Sequence, residues 1–63
     1  MFHKGDDVIA YVDGEELDGK FVCAFTQDGT EMAEIELESP HWATGETWID
    51  APMDGVRVIP PAV

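Results

Sequence analysis

A chain of 63 residues has room for one domain. A domain this size buries only about 60% of the surface its unfolded form exposes, which excludes a large enclosed active site. Fourteen Asp and Glu against three Lys and Arg give a formal net charge of −11, which argues against direct binding to a nucleic-acid backbone and points to a basic protein surface as partner.

Residues 2–7 are a polar lead-in. Val8-Ile9-Ala10-Tyr11-Val12 is the first predicted strand, because β-branched and aromatic residues suit a pleated surface and five residues are too few for a stable helix. Asp13-Gly14 breaks it. Residues 13–19 read as an acidic surface loop, with Gly14 and Gly19 able to take backbone angles closed to other residues. Residues 20–26 form a second strand with Phe21, Cys23 and Phe25 on one face and Val22, Ala24 and Thr26 on the other. Apolar on both faces, it sits centrally or bends to serve two parts of a small barrel.

Gln27-Asp28-Gly29-Thr30 is a tight hairpin turn, since Asp-Gly between two strand patterns is a strong short-range signal. The strand that follows, residues 30–38, alternates strictly: Ala33, Ile35 and Leu37 face one way, and Glu34, Glu36 and Glu38 the other. Its antiparallel register is pinned, because a slip by one residue would expose Ile35 and Leu37 and bury three glutamates. Pro40 makes residues 39–45 a loop, and residues 46–51 resume strand character. Pro52-Met53-Asp54-Gly55 is a single turn, residues 56–59 are a short last strand, and Pro60-Pro61 leaves the sheet as an extended tail. The predicted core is Val8, Ala10, Ala33, Ile35, Leu37, Val56 and Val58, with Phe21 or Phe25.

Five short strands with frequent turn signals predict an all-β domain over residues 1–63, a small five-stranded barrel with short loops, closed or nearly so to hide its edges. The order of elements resembles the SH3-like barrel. Residues 8–12 match its first strand, 13–19 a short form of its first long loop, 27–30 its second loop, 44–47 its far hairpin, and 52–55 the one-turn helix before the last strand. Tyr11 is the residue shared with the family's Ala-Leu-Tyr-Asp-Tyr segment. The paired tryptophans of peptide-binding members are missing, and Met53 stands where an aromatic lines their groove. The resemblance therefore implies a fold, which does not assign a function.

No motif names a reaction, and the chain reads as a non-enzyme. Glu34 and Glu36 stand about 6.6–6.8 Å apart along one strand face, but a solvated pair lacks the environment that would raise one pKa. His3 with Asp6 and Asp7, and His41 with Glu46, have no ligand spacing, so both histidines read as solvated loop residues, with no metal or other cofactor expected. Cys23, the only cysteine, forms no internal disulfide and is expected to pack in the interior. Of Trp42 and Trp48, one is expected in the core, which leaves Trp42, in a Pro-containing loop, free to anchor a partner.

The functional expectation is a small acidic interaction protein docking on the basic surface of a partner protein. Glu34, Glu36 and Glu38, with Asp13, Glu15, Glu16 and Asp18, supply the field, and Trp42 and Tyr11 an aromatic rim. In its sharpest form this is a nucleic-acid mimic that blocks a DNA- or RNA-binding groove, similar in type to small acidic inhibitors of phages and mobile elements. The alternatives are an accessory subunit decorating a virion or enzyme complex, and an SH3-like adaptor whose acidity serves a salt-rich environment. No apolar run approaches a membrane span of about 20 residues, Met1-Phe2-His3-Lys4 is too short and polar for a secretory signal, and the free thiol suits the cytoplasm. For a phage-encoded chain the setting would be a virion or the host cytoplasm. Oligomeric state is left open.

Overall fold

Five antiparallel strands make one sheet in the computed structural model, which describes residues 2–59; the expected Pro60-Pro61 tail lies outside the described residues. The strands are β1 (Asp7–Val12), β2 (Glu15–Gln27), β3 (Thr30–Leu37), β4 (Trp48–Pro52) and β5 (Val56–Val58), with a single 3-10 turn at Met53–Gly55. Their order is β4-β3-β2-β1-β5. The closed barrel is therefore corrected to an open sheet. β4 and β5 are joined by one tight turn, yet β4 pairs with β3 and β5 with β1, and among the described residues no strand pairs with the outer edge of either. Strands of five and three residues, already committed to different neighbours, have no length left to close the gap. No helix among the described residues is long and apolar enough to cross a membrane.

The acidic loop expected over residues 13–19 is instead the start of β2. Asp13 and Gly14 take φ of 50° and 80°, the geometry of a two-residue hairpin, and Val12 stands directly opposite Glu15. Asp28 and Gly29 repeat the device with φ of 50° and 78°, setting Gln27 opposite Thr30 as the sequence predicts. Gly19 does not use a special backbone angle. It is glycine because a Cβ there would lie 2.5 Å from the Glu36 carbonyl oxygen and 2.7 Å from Ile35 Cγ2.

β3 keeps its predicted alternation: Ala33, Ile35 and Leu37 are buried, while Glu36 is exposed. They pack with Val8, Ala10, Phe21, Ala51 and Val56, and Phe2 stacks on Phe21 with ring centroids 5.3 Å apart. One expected core position changes. Val58 is 47% exposed, because it is the last residue of β5, beyond which the sheet has no further strand among the described residues. Phe21 is the buried phenylalanine and Phe25 only half-buried, because a bulge at Val22 shifts the register between Phe21 and Cys23. Phe21 pairs with Ile35 but Cys23 with Glu34, so the thiol is turned to the outer face rather than the interior. Neither tryptophan is core: Trp42 is 82% and Trp48 46% exposed. Trp42 lies in the connection before β4, and Trp48 stands opposite Glu36 on the face turned away from Ile49 and Ala51.

Candidate functional site

The hairpin at Asp13-Gly14 decides where the site forms. It returns Glu15 at the head of β2, on the same face as Leu17, Gly19 and Phe21, within reach of the long connection between β3 and β4. One oxygen of the Glu15 carboxylate, Oε2, accepts two hydrogen bonds from that connection, from His41 Nε2 at 3.2 Å and from Trp42 Nε1 at 2.9 Å. His41 is the organiser of the loop. Its Nδ1 accepts the Ala43 N–H at 3.1 Å, so the ring proton sits on Nε2 and is donated to Glu15. Its backbone N–H reaches the Glu46 carbonyl, and its carbonyl receives the Gly45 N–H, both at 2.8 Å. The expected solvated histidine is thus corrected for His41, whose side chain is only 13% exposed. It holds for His3, which lies on the surface 3.8 Å from Asp6.

Trp42 is pinned at its indole N–H and stacked on His41, with centroids 5.7 Å apart, while most of its surface faces solvent. Removing the Glu15 carboxylate frees both donors. Glu15→Ala is expected to cost about 1–2 kcal/mol, reduced from the value of two charged hydrogen bonds because the site is half open to water. Faster amide exchange over residues 41–46 and a shifted Trp emission check this; unchanged exchange there would mean that the loop holds itself.

A groove of about 610 Å³ lies between this hairpin and β4, lined by Val12, Leu17, Trp48 and Ile49 together with Asp13, Glu15, Glu34, Glu46 and Asp50. Five carboxylate residues meet there, and no Lys or Arg lines it. Two of the three cations are used elsewhere: Lys20 pairs with Asp7 across β1 and β2, and the Arg57 guanidinium donates to the carbonyls of Asp54 and Val56, while the charge of the third, Lys4, is felt at Cys23. The hydrogen bond and charge of Asp7, with Glu38 farther off, hold Lys20 above its ordinary pKa.

Of the predicted site residues, Asp13, Glu15 and Glu34 share this groove, and Glu46 and Asp50 join them unpredicted. Glu16, Asp18, Glu38 and Trp42 line a second, smaller cleft of about 280 Å³ with Pro40 and Leu37. Glu36 and Tyr11, the latter half exposed, line neither. The single acidic stripe expected on β3 is therefore divided between two concavities. The alternation of Trp48 and Asp50 in the segment before Pro52 was the available signal for the missed residues. Nothing local marks Glu46.

The Cys23 thiol donates to Glu34 Oε1 at 3.4 Å. That bond, followed by partial loss of water and the charges of Glu34 and Asp50, pushes the thiol above its usual range, against a smaller opposing effect of Lys4. Because the thiolate is the nucleophile, Cys23 is held in its unreactive form near neutral pH. Glu34→Gln removes the charge and lowers the pKa, so alkylation of Cys23 at mildly alkaline pH is expected to accelerate; equal rates for the two proteins would refute the coupling. Among the described residues, no group of three or more His, Cys, Asp or Glu side chains is arranged to hold a metal ion. In comparisons with protein-family models, curated proteins and solved structures, the chain matches none.

Proposed function

We propose that this chain is a non-enzymatic interaction module whose acidic groove receives a basic segment of a partner protein. The observation that carries the reading is the composition of the groove: five carboxylate residues beside an apolar floor, with no Lys or Arg among the residues that line it. A cleft lined by one sign of charge concentrates the field and steers oppositely charged partners toward it. Trp42, exposed yet fixed in orientation by Glu15, supplies a rigid aromatic surface nearby, of the kind that anchors interfaces at low entropic cost. The strand order, the long bent β2 and the 3-10 turn before β5 support an SH3-like reading of the sheet. A concave acidic surface favours capture of a protruding basic segment over the phosphate-mimic form of the hypothesis. An exposed free thiol fits a reducing compartment such as the cytoplasm. The accessory-subunit reading keeps one observation in its favour, the exposed Val58 and Ile59 beside the outer edge of β5.

The test compares wild type with Asp13→Asn/Glu46→Gln/Asp50→Asn and with Glu34→Gln/Glu36→Gln/Glu38→Gln. All three proteins are expected to fold, since removing like charges relieves repulsion. Immobilised wild type is expected to capture basic proteins from a lysate of the source cell at low salt and to release them as salt rises. The groove variant is expected to capture little, and the strand-face variant an intermediate amount, because only Glu34 of its three positions lines the groove. Capture that is the same for all three proteins and indifferent to salt would leave the acidity a matter of solubility and would favour docking through the apolar edge.

A further inference from the structure

The groove is bordered by β4, the strand at one end of the sheet. Leu37 donates its N–H to the Thr47 carbonyl at 2.7 Å, so these two residues are a hydrogen-bonded pair of the antiparallel ladder. Such pairs alternate along a ladder, which makes Ile35 with Ile49 and Ala33 with Ala51 the next two. Trp48, Asp50 and Pro52 then turn their backbone groups away from β3, toward the outer edge of the sheet. The position of Pro52 agrees with this, because proline is tolerated in an edge strand where the missing N–H faces outward. Among the described residues, no loop or turn supplies a backbone partner to the N–H groups of Trp48 and Asp50. Both residues also line the acidic groove, with Val12 and Asp13 among the residues that line it from the hairpin.

We propose that the basic partner segment binds as an added strand on β4, exchanging hydrogen bonds with the backbone of Trp48 and Asp50 while its alternate side chains enter the groove. This rests on the docking reading of the groove and specifies its mode. An unpaired edge is a template for another strand, in which main-chain bonds give affinity and pockets for alternate side chains give specificity. Charge decides the occupant. A second copy of this chain would bring its own net charge of −11 against the same groove, whereas a strand with Lys or Arg at every second position meets Asp13, Glu15 and Glu46 on the face of Leu17 and Ile49. The aliphatic stems of those side chains suit the apolar floor at Leu17 and Ile49. The intervening residues of the added strand stand on the outer face beside Trp48, where an apolar side chain fits. Pro52 ends the row of donors, so the added strand is short.

An octapeptide of alternating Arg and Val is the probe, tested against the full chain with two backbone-methylated forms. The added strand runs antiparallel to β4, so the Val residues opposite Trp48 and Asp50 point their N–H groups at β4 and the Arg N–H groups point away. Methylating the Val nitrogens is expected to weaken binding about tenfold or more through loss of two backbone hydrogen bonds, and methylating the Arg nitrogens to weaken it much less. Bound peptide is also expected to slow amide exchange at Trp48 and Asp50. Salt-sensitive binding that ignores methylation and leaves those two amides unprotected would overturn strand addition while leaving electrostatic docking in place. No binding at low salt would overturn both. A mass measurement showing dimers or larger species of the free chain would overturn the choice of occupant, since its own edge would then fill the site.

Discussion

Ile35→Ala is expected to remove about 2–5 kcal/mol of stability. Ile35 is fully buried at the centre of β3, opposite Phe21 on one side and Ile49 on the other, so truncation leaves a cavity walled by strands held in register by their ladders. At about 0.05–0.15 kcal/mol per residue, a chain of this length has roughly 3–9 kcal/mol in total. The variant is therefore expected to lose most of its melting transition near room temperature or to melt many degrees lower. Thermal and urea denaturation measure this. A melting temperature equal to that of the wild type would mean that Ile35 does not occupy the core, and the register of β3 would be wrong with it.

Gly19→Ala is expected to cost about 1–3 kcal/mol or more for the opposite reason, too little space rather than too much. Gly19 lies in the middle of β2 between Val8 and Leu37, and the nearest atom to an added Cβ belongs to the Glu36 carbonyl, which the ladder holds in place. A flexible side chain could turn aside; a backbone oxygen in a central strand cannot. Gly14 provides the contrast. Nothing lies near its missing Cβ, but its φ of 80° favours glycine or asparagine. Gly14→Asn is expected to be mild and Gly19→Asn at least as damaging as Gly19→Ala. If asparagine were tolerated equally at both positions, the steric account of Gly19 would be refuted.

The two Asp-Gly turns show how far local signals carry. Asp28-Gly29 lies between two apolar patterns and reads at once as a hairpin. Asp13-Gly14 is the same dipeptide in the same geometry, but Glu15, Glu16 and Asp18 after it look like a solvated loop. The overlooked signal was the alternation of Leu17, Gly19 and Phe21 with Glu16, Asp18 and Lys20, which continues the strand through acidic composition. Periodicity was a better guide there than polarity.

Alternation alone determined β3, its buried face and its antiparallel pairing with β2, because a period of two admits one inward set and a tight turn admits one partner. Composition likewise determined that the surface is acidic, since fourteen carboxylates cannot be buried in so small a domain. Only the tertiary structure decided which acids stand together. The bond between Glu15 and His41 spans 26 positions, the bulge at Val22 turns Cys23 from the interior toward Glu34, and the open seam between β4 and the first hairpin gathers Asp13, Glu15, Glu34, Glu46 and Asp50. Those are consequences of sheet curvature and of one inserted residue. Neither leaves a periodic trace, because a bulge shifts register by a single step and curvature brings together strand ends that are distant in the chain.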